Sequence, residues 1–276
     1  MRAQNRVVVI TGASMGIGEA TARVFLEEGA NVVLTSRDFG RAAAAQQRMN
    51  SPGRTLALAC DVCQRKQIDD LVRATLARFG RIDVWINNAG HGLLDSVAEM
   101  SLTECRRLFD TNLFAAVDCM QAVIPLMERQ GGGSIINISS VAGHIPVPYM
   151  AAYSASKNAL IAVGKAARLE LAARNIRVST VSPGYIATDF SANAVKGADR
   201  QRMNAAKHRV SAERCARAIF RAYLRNKREV VVPWWYWLAL RLYELCPGIV
   251  EFGMRRMLRP ADQVITEIQD TQRSSP

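Results

Sequence analysis

Short runs of β-branched residues alternate along the chain with longer segments of helical period, and this alternation constrains the fold more than any other feature. Residues 7–10 read VVVI and residues 230–232 read VVV, without a polar break. Uninterrupted apolar runs are typical of strands that are buried on both faces of a parallel sheet. The pattern predicts seven strands, at residues 6–11, 31–36, 55–61, 83–87, 134–139, 177–182 and 229–232.

The segments between these strands predict helices. Apolar residues recur at three- and four-residue spacing in residues 66–79, and further helices are expected at 17–28, 101–127 and 149–173. Strands that alternate with helices indicate an α/β fold of the Rossmann-like, doubly wound type, with a seven-stranded parallel sheet and helices on both faces. Ligands of such folds bind at the carboxyl ends of the strands.

The domain organisation follows from the same pattern and from the length of 276 residues, which suits one large α/β domain. We expect one domain at residues 1–233. Residues 234–276 are expected to form an apolar helical extension. Three glycines at 131–133 indicate the end of a helix before a strand, not a hinge between domains.

Composition excludes several classes of protein. With 49% hydrophobic and 22% charged residues, the chain is neither disordered, collagen-like nor a coiled coil. It has no run of 18 apolar residues and no signal peptide, so we expect a cytoplasmic protein. The CxxC pair at residues 60–63 lacks a second pair or neighbouring histidines, so no metal site is predicted. The six cysteines are expected to be reduced and structural: Cys60, Cys63, Cys105, Cys119, Cys215 and Cys246.

A glycine-rich turn lies between the first strand and the first helix, where residues 11–18 read TGASMGIG. Glycines let the backbone turn tightly and approach a pyrophosphate, and the helix N-terminus offers free N–H groups and a positive dipole end. In this position the turn predicts a dinucleotide site.

Tyr153 and Lys157 stand four residues apart in a predicted helix, so their side chains share one face. A free phenol has a pKa of about 10, which is too high for a base near neutrality. A neighbouring cation favours the phenolate, and we therefore expect Lys157 to lower the pKa of Tyr153. Tyr153 would then exchange a proton with a carbonyl or alcohol oxygen, while Lys157 can also donate to ribose hydroxyls.

These motifs together resemble the short-chain dehydrogenase/reductase (SDR) family over residues 6–233. The chain has the G-x-x-x-G-x-G turn, NNAG at 87–90 after the fourth strand, Y-x-x-x-K at 153–157, and Pro183-Gly184 after the sixth strand. The resemblance implies that Ser140 and Asn112 complete the catalytic set with Tyr153 and Lys157. Ser140 would bind the substrate oxygen, and Asn112 would hold a water that relays protons to the lysine. The resemblance also implies that residues 1–233 form a dinucleotide-binding and catalytic domain, in which 189–210 are a lid over the substrate.

The resemblance also implies which residues contact the cofactor. Asp61 and Val62 would approach the adenine, and Thr188 would contact the nicotinamide amide. The predicted cofactor-binding residues are Gly12, Ser14, Met15, Gly16, Ile17, Gly18, Ser36, Arg37, Asp61, Val62, Asn88, Ala89, Gly90, Tyr153, Lys157, Pro183, Gly184, Ile186 and Thr188.

Charge at the end of the second strand indicates which dinucleotide binds. NAD-using Rossmann proteins place an acidic residue there, whereas an arginine accommodates the 2′-phosphate of NADP. This chain has Ser36 followed by Arg37, and a guanidinium binds phosphate oxygens well. We therefore expect NADP(H). The alternatives are that Asp38 neutralises Arg37, or that Arg37 is a solvated surface charge.

The net charge of +12 is unevenly distributed. Residues 1–195 have 20 Lys/Arg against 16 Asp/Glu, a net +4, and residues 196–276 have 16 against 8, a net +8. Residues 196–228 alone have 11 basic and 2 acidic residues. This stretch indicates an acidic partner, such as an acyl carrier protein, a coenzyme A phosphate or an anionic membrane, or else a solvated helix face. Nucleic acid is not expected, because few aromatic residues are interleaved.

Residues 234–246 read WWYWLALRLYELC and contain three of the four tryptophans. Pro247-Gly248 is expected to divide the segment into two helices. It is too short to span a membrane, and three roles remain open: it covers the substrate pocket, it packs in a subunit interface, or its residues 234–259 lie on a membrane surface.

The sequence therefore predicts an NADP(H)-dependent oxidoreductase that interconverts a ketone and a secondary alcohol. The substrate is expected to be lipophilic, such as a fatty-acyl (3-oxoacyl) or steroid-like compound. Members of the SDR family often form dimers or tetramers through two long helices, here residues 101–127 and 150–173, so a homo-oligomer is expected. The alternative is a non-catalytic NADP(H) sensor or scaffold, which predicts a loss somewhere in the four catalytic residues.

Overall fold

The structure, a computed structural model, describes residues 1–188, 190, 194–196 and 210–255. Its main sheet has seven strands, and every neighbouring pair in it is parallel. The strands are β1 (Val7–Ile10), β2 (Asn31–Ser36), β3 (Thr55–Ala59), β4 (Val84–Asn87), β5 (Gly133–Ile138), β6 (Ile176–Pro183) and β7 (Glu229–Val232). All seven predicted strands are confirmed, with ends that differ by no more than two residues.

The spatial order of the strands is β7-β6-β5-β4-β1-β2-β3. Val8 of β1 pairs with Val32 on one side and with Val84 on the other, so β1 and β4 lie side by side at the centre. The order of the strands reverses there, and the connections leave a crevice at the carboxyl ends of β1 and β4. The doubly wound fold is confirmed.

The strands supply two hydrophobic cores, one on each face of the sheet. Val8 and Ile10 of β1 belong to one core, and Val9 between them belongs to the other. Because successive side chains of a strand point to opposite faces, an uninterrupted apolar run fills both cores at once. The apolar runs in the sequence are explained by this double burial.

Eight helices flank the sheet in the described part of the chain: α1 (Gly16–Glu27), α2 (Phe39–Met49), α3 (Arg65–Phe79), α4 (Leu102–Phe109), α5 (Ala115–Arg129), α6 (Ala151–Glu170), α7 (Ala212–Leu224) and α8 (Tyr236–Leu245). Helices α1, α2 and α7 contribute to the core on one face, and α3, α5 and α6 to the core on the other.

The predicted single helix at 101–127 is wrong in one respect. A π-helical turn, Asp110–Phe114, separates α4 from α5. Such turns insert one residue into the helical repeat and are frequent at functional sites. Asn112, a predicted catalytic residue, lies at the centre of this turn and is buried.

The extension after Pro233 packs on the domain. Leu240 of α8 is buried against Val141 and Ile145, and Tyr236 and Tyr243 join the same cluster. The helix ends at Leu245 and helical structure resumes at residue 247, as predicted from Pro247. Among the described residues, no helix is both long enough and apolar enough to cross a membrane.

Candidate active site

The glycine-rich turn joins β1 to α1 in a conformation that needs its glycines. Gly12 and Gly16 have φ angles of 63° and 59°, in the left-handed region that side chains disfavour. A Cβ on Gly12 would lie 2.9 Å from the Cα of Ala89, and one on Gly18 would lie 2.5 Å from the carbonyl oxygen of Gly12. The turn thus brings bare backbone to the crevice, with the N-terminus of α1 behind it.

Asn88 and Thr11 tie this turn to the end of β4. The Asn88 side-chain amide donates to the carbonyl oxygens of Thr11 and Gly12, both at 2.9 Å. In return, the Thr11 hydroxyl accepts from the backbone N–H groups of Asn88 and Ala89 at 2.9 and 3.0 Å. These bonds fix the spacing of the two loops on either side of the strand crevice.

Arg48 supports the same turn, although the sequence analysis did not identify it. Its guanidinium pairs in a bidentate manner with Glu19, at 2.8 Å to each carboxylate oxygen, and donates to the carbonyl oxygen of Ser14 at 3.1 Å. Its sequence signal was weak, because Arg48 lies on α2, thirty-four residues after Ser14.

The end of β2 presents Arg37 beside the crevice. Asp38 does not form an ion pair with Arg37 in the described chain. Its carboxylate accepts from the N–H of Arg41 at 3.0 Å and caps α2. The hydroxyl of Ser36 accepts from the N–H of Asp38 at 3.3 Å. The pKa of His91 is lowered, mainly by burial and secondly by the positive charge of Arg37.

Asp61 and Val62 follow β3 at the same edge of the sheet. Asp61 lies two residues beyond the end of the strand, and its carboxylate accepts from the N–H of Cys63 at 3.0 Å. Val62 is buried. Of the nearby thiols, Cys60 is buried, and burial raises its pKa to about 12. A thiol held protonated in this way is a poor metal ligand.

Tyr153 and Lys157 lie on successive turns of α6, and both are buried. The Lys157 ammonium is 5.9 Å from the centre of the Tyr153 ring and donates to the carbonyl oxygen of Ile138 at 3.0 Å. The Ser140 hydroxyl lies near enough to the Tyr153 hydroxyl to favour its ionised form. The Ser140 hydroxyl also accepts from the N–H of Ala142 at 3.1 Å, so its position is held by the turn that follows β5.

The predicted lowering of the Tyr153 pKa by Lys157 is wrong. Burial raises the pKa of Tyr153 to about 12, and the nearby Ser140 side chain opposes this rise only in part. Burial also lowers the pKa of Lys157 to about 8. Both shifts have one physical cause, because an apolar environment disfavours the charged form of each group. The phenol is therefore held protonated at neutral pH.

Asn112 faces the other side of Lys157. Its side-chain oxygen accepts from the N–H of His91 at 3.0 Å, and its amide donates to the carbonyl oxygen of His91 at 3.0 Å and to the Ser156 hydroxyl at 3.1 Å. A Cβ on Gly90 would lie 2.8 Å from this oxygen and 3.3 Å from the Lys157 ammonium. Gly90 thus leaves open the narrow space between Asn112 and the lysine.

The loop after β6 closes the crevice from the opposite side. The hydroxyl of Ser140 lies 3.4 Å from the carbonyl oxygen of Pro183. The Thr188 methyl would lie 3.2 Å from a Cβ on Gly16, which places Thr188 over the start of α1. Between them, Ile186–Ala187 pairs with Val210–Ser211, and Gly184 packs against the ring of Tyr236.

Phe190 is a site residue that the sequence analysis did not name, although it lies in the predicted lid. Its ring centre is 5.6 Å from that of Tyr153, and a Cβ on Gly92 would lie 3.2 Å from it. The predicted lid at 189–210 otherwise lies mostly outside the described residues. Within it, Val195–Lys196 pairs with Leu93–Leu94 beside the Tyr153 cluster.

His144 follows the catalytic turn, and the structure gives it protein partners. Its Nε2 atom lies 2.9 Å from a carboxylate oxygen of Glu229 and 3.2 Å from the hydroxyl of Ser182. Lys165 approaches the second oxygen of Glu229 at 3.6 Å. The close approach of His144 lowers the pKa of Glu229. His144 therefore anchors the turn after Ser140 to β7.

Comparison with known proteins agrees with these features. A family model described as short chain dehydrogenase matches residues 6–199. The 3-oxoacyl-[acyl-carrier-protein] reductase of Synechocystis sp. is 39% identical over 190 residues, which are 68% of this chain and 77% of that protein.

Two solved structures share the architecture. A short-chain dehydrogenase/reductase from Burkholderia phymatum in complex with NAD has a TM-score of 0.81 and covers 90% of this chain and 96% of its own, and its identity of 23% shows the fold alone. A 3-ketoacyl-(acyl-carrier-protein) reductase from Brucella melitensis complexed with NADH is 26% identical, with a TM-score of 0.75 and coverage of 83% and 97%.

Proposed function

This chain belongs to the short-chain dehydrogenase/reductase family, and we propose that it is an NADP(H)-dependent enzyme that reduces a lipophilic carbonyl compound to a secondary alcohol. The observation that carries the proposal is the meeting of buried Tyr153 and Lys157 on α6 with the Ser140 hydroxyl after β5. These residues bring a protonated phenol, an amine and a second hydroxyl together at the edge of the sheet where the glycine-rich turn lies.

The residues present fit a dinucleotide. The turn exposes backbone that a side chain on Gly12 or Gly18 would obstruct, and the positive end of α1 suits a pyrophosphate. Thr188 lies over the same helix end. Lys157 has two N–H donors for ribose hydroxyls besides the one that bonds to Ile138. Bound there, the reduced nicotinamide would supply a hydride to the substrate carbon.

The protein supplies the proton. The hydroxyls of Ser140 and Tyr153 would bind the carbonyl oxygen, and both can donate to it as negative charge develops. A phenol with a raised pKa is protonated at neutral pH and gives its proton to the alkoxide, a stronger base. The O–H bond of Tyr153 breaks and that of the alcohol forms. Lys157, with its lowered pKa, is the neighbouring group that can return a proton to the phenolate.

Arg37 and Ser36 support the choice of NADP(H). Asp38 uses its carboxylate to cap α2, so the guanidinium of Arg37 is not neutralised by it. An uncompensated guanidinium at this position suits a 2′-phosphate. The two similar solved structures contain NAD and NADH, so the preference has to come from these residues of this chain.

The surroundings of Tyr153 support a lipophilic substrate. Its ring packs in a cluster with Leu93, Leu108 and Ala152, and Phe190 lies against it. Apolar surroundings beside two hydroxyls suit a carbonyl on an alkyl chain. The similar Synechocystis protein is named a 3-oxoacyl reductase, which makes fatty-acyl carbonyls the first substrates to test.

A homo-oligomer formed through residues 101–127 and α6 is also proposed. Leu102 and Phe114 of the first segment are exposed, and exposed apolar side chains on neighbouring helices suit an interface. Light scattering of the purified protein tests this proposal.

The experiment for the proposed activity follows NADPH oxidation at fixed enzyme concentration with methyl ketones and 3-oxoacyl thioesters of increasing chain length. We expect turnover with NADPH, a kcat/KM that rises with chain length, and weaker activity with NADH. Dinucleotide binding without turnover on any carbonyl would favour the non-catalytic sensor instead.

A further inference from the structure

The helix α8 has two apolar sides, and among the described residues only one of them packs against the protein. Leu240, Tyr236 and Tyr243 pack against Val141 and Ile145. Other large apolar side chains of α8, and of the residues just before and after it, are exposed, and we call this set the tail face. It consists of Trp234, Trp235, Trp237, Leu238, Leu242, Leu245, Ile249 and Phe252.

The tail face is rich in exposed aromatic and aliphatic side chains. Trp234 is 66% exposed, Leu238 62% and Leu245 80%. Isolated exposed apolar residues are normal, whereas a group of them within one short segment indicates a binding surface. Tryptophan and leucine together on a short helix are typical of segments that lie in a membrane interface.

Cations border the tail face. The guanidinium of Arg214 lies over the Trp235 ring at 5.4 Å, and that of Arg241 lies over the Trp237 ring at 4.5 Å. Both side chains are exposed, and Arg241 also pairs with Glu244. An indole with a guanidinium beside it presents an apolar ring and a cation at the same depth, which matches the boundary between acyl chains and phosphates.

Charge distinguishes the occupant of the tail face. The chain has a net charge of +12, so an anionic surface attracts it at long range. Residues 210–255 have eight Lys/Arg against four Asp/Glu, a net +4. This sign favours an anionic phospholipid surface as the occupant.

We propose that the tail face docks on the surface of an anionic phospholipid bilayer, with its tryptophans at headgroup depth. The same helix contacts the active site, because Tyr236 packs on Gly184 and Leu240 on Val141 beside Ser140. Docking therefore places the catalytic turn close to the lipid. If the proposed function is correct, a lipophilic substrate enters from that side, but the docking itself does not depend on catalysis.

The distribution of tryptophans supplies a direct test. Three of the four lie in the tail face, and the fourth, Trp85, is fully buried in the sheet. The full-length protein is mixed with vesicles of phosphatidylcholine and phosphatidylglycerol whose acyl chains are brominated, and tryptophan emission is followed. We expect strong quenching by these vesicles, weaker quenching by pure phosphatidylcholine vesicles, and release at high salt.

Variants locate the contact. Leu238→Glu and Leu245→Glu should each weaken partition into the anionic vesicles by about tenfold or more, since each puts a charge in the interface. Val97→Glu, which alters an apolar residue 73% exposed outside the extension, should leave it unchanged. Retained dinucleotide binding and thermal unfolding show that each variant is folded.

Three results would overturn the proposal. The first is no quenching by anionic vesicles, and the second is quenching that both tail-face variants retain. The third is a dimer that these variants dissociate while vesicles have no effect, which would assign the face to a second copy. Because the readout is fluorescence, an inactive protein that still binds vesicles contradicts the proposed function and leaves the docking intact.

Discussion

Replacement of Lys157 by methionine is expected to stabilise the protein without dinucleotide while it abolishes turnover. Burial lowers the pKa of Lys157 from 10.5 to about 8, and at roughly 1.4 kcal/mol per pKa unit this costs the folded state about 3 kcal/mol near pH 7. Methionine removes that cost and fills a similar volume. It also loses the hydrogen bond to Ile138, worth about 1 to 2 kcal/mol, so we expect a net gain of about 1 to 2 kcal/mol.

The dependence on pH separates the cost of burying the ammonium from the loss of the hydrogen bond to Ile138. Below about pH 8 the lysine is protonated in both folded and unfolded chains, and the full cost is present. As pH rises from about 8 toward 10.5, the folded protein releases the proton first, so the wild type becomes more stable relative to its unfolded chain. The advantage of Lys157→Met should therefore shrink by about 1 kcal/mol between pH 7 and pH 9.

Urea unfolding of the wild type and Lys157→Met at both pH values measures this difference, because other titrating groups cancel between the two proteins. Lys165→Met is the control, since that lysine is on the same helix but half exposed. An advantage of Lys157→Met that stays constant or grows with pH would refute the reasoning that burial lowers the pKa of this ammonium.

Two further variants test the cofactor site. Arg37→Ser should weaken NADPH binding by about tenfold to a hundredfold, the value of a charge-assisted hydrogen bond, and leave NADH binding nearly unchanged. Calorimetric titration measures both affinities, and an equal loss for the two dinucleotides would contradict an arginine contact to the 2′-phosphate. Gly18→Ala should lower the free energy of unfolding by about 2 kcal/mol and weaken the binding of both dinucleotides, because its Cβ would lie 2.5 Å from the Gly12 carbonyl oxygen. The control Gly53→Ala meets no atom within 4 Å and should be neutral. Similar unfolding curves for the two variants would contradict the close approach at Gly18.

The strands could be predicted from sequence because double burial leaves an unmistakable pattern. Strands β2 and β7 have the predicted limits, since apolar runs end there at polar residues. Helix α2 was not recognised in the same way, because its buried positions are mainly alanines, which give little apolar signal. The π-helical turn was also hidden, since the bonds of the Asn112 side chain to the His91 backbone depend on the fold.

The positions of the candidate catalytic residues could be inferred from motifs, but not their ionisation. Spacing on a helix shows that Tyr153 and Lys157 are neighbours, and it does not show how deeply they are buried. Burial depends on distant partners such as Phe190 and Leu93, and it reverses the expected shift of the phenol's pKa. The role of α8 stayed open for a related reason, because its sequence is apolar on both faces.

The most direct test of the account is single-turnover oxidation of bound NADPH in Tyr153→Phe, with a carbonyl that the wild type reduces. The substitution removes one oxygen from a buried ring, so the fold and the dinucleotide affinity should be retained. We expect the rate of hydride transfer to fall by about a thousandfold, because the alkoxide loses its proton donor. A variant that binds NADPH normally and still transfers hydride at the wild-type rate would contradict the assignment of Tyr153 as the proton donor.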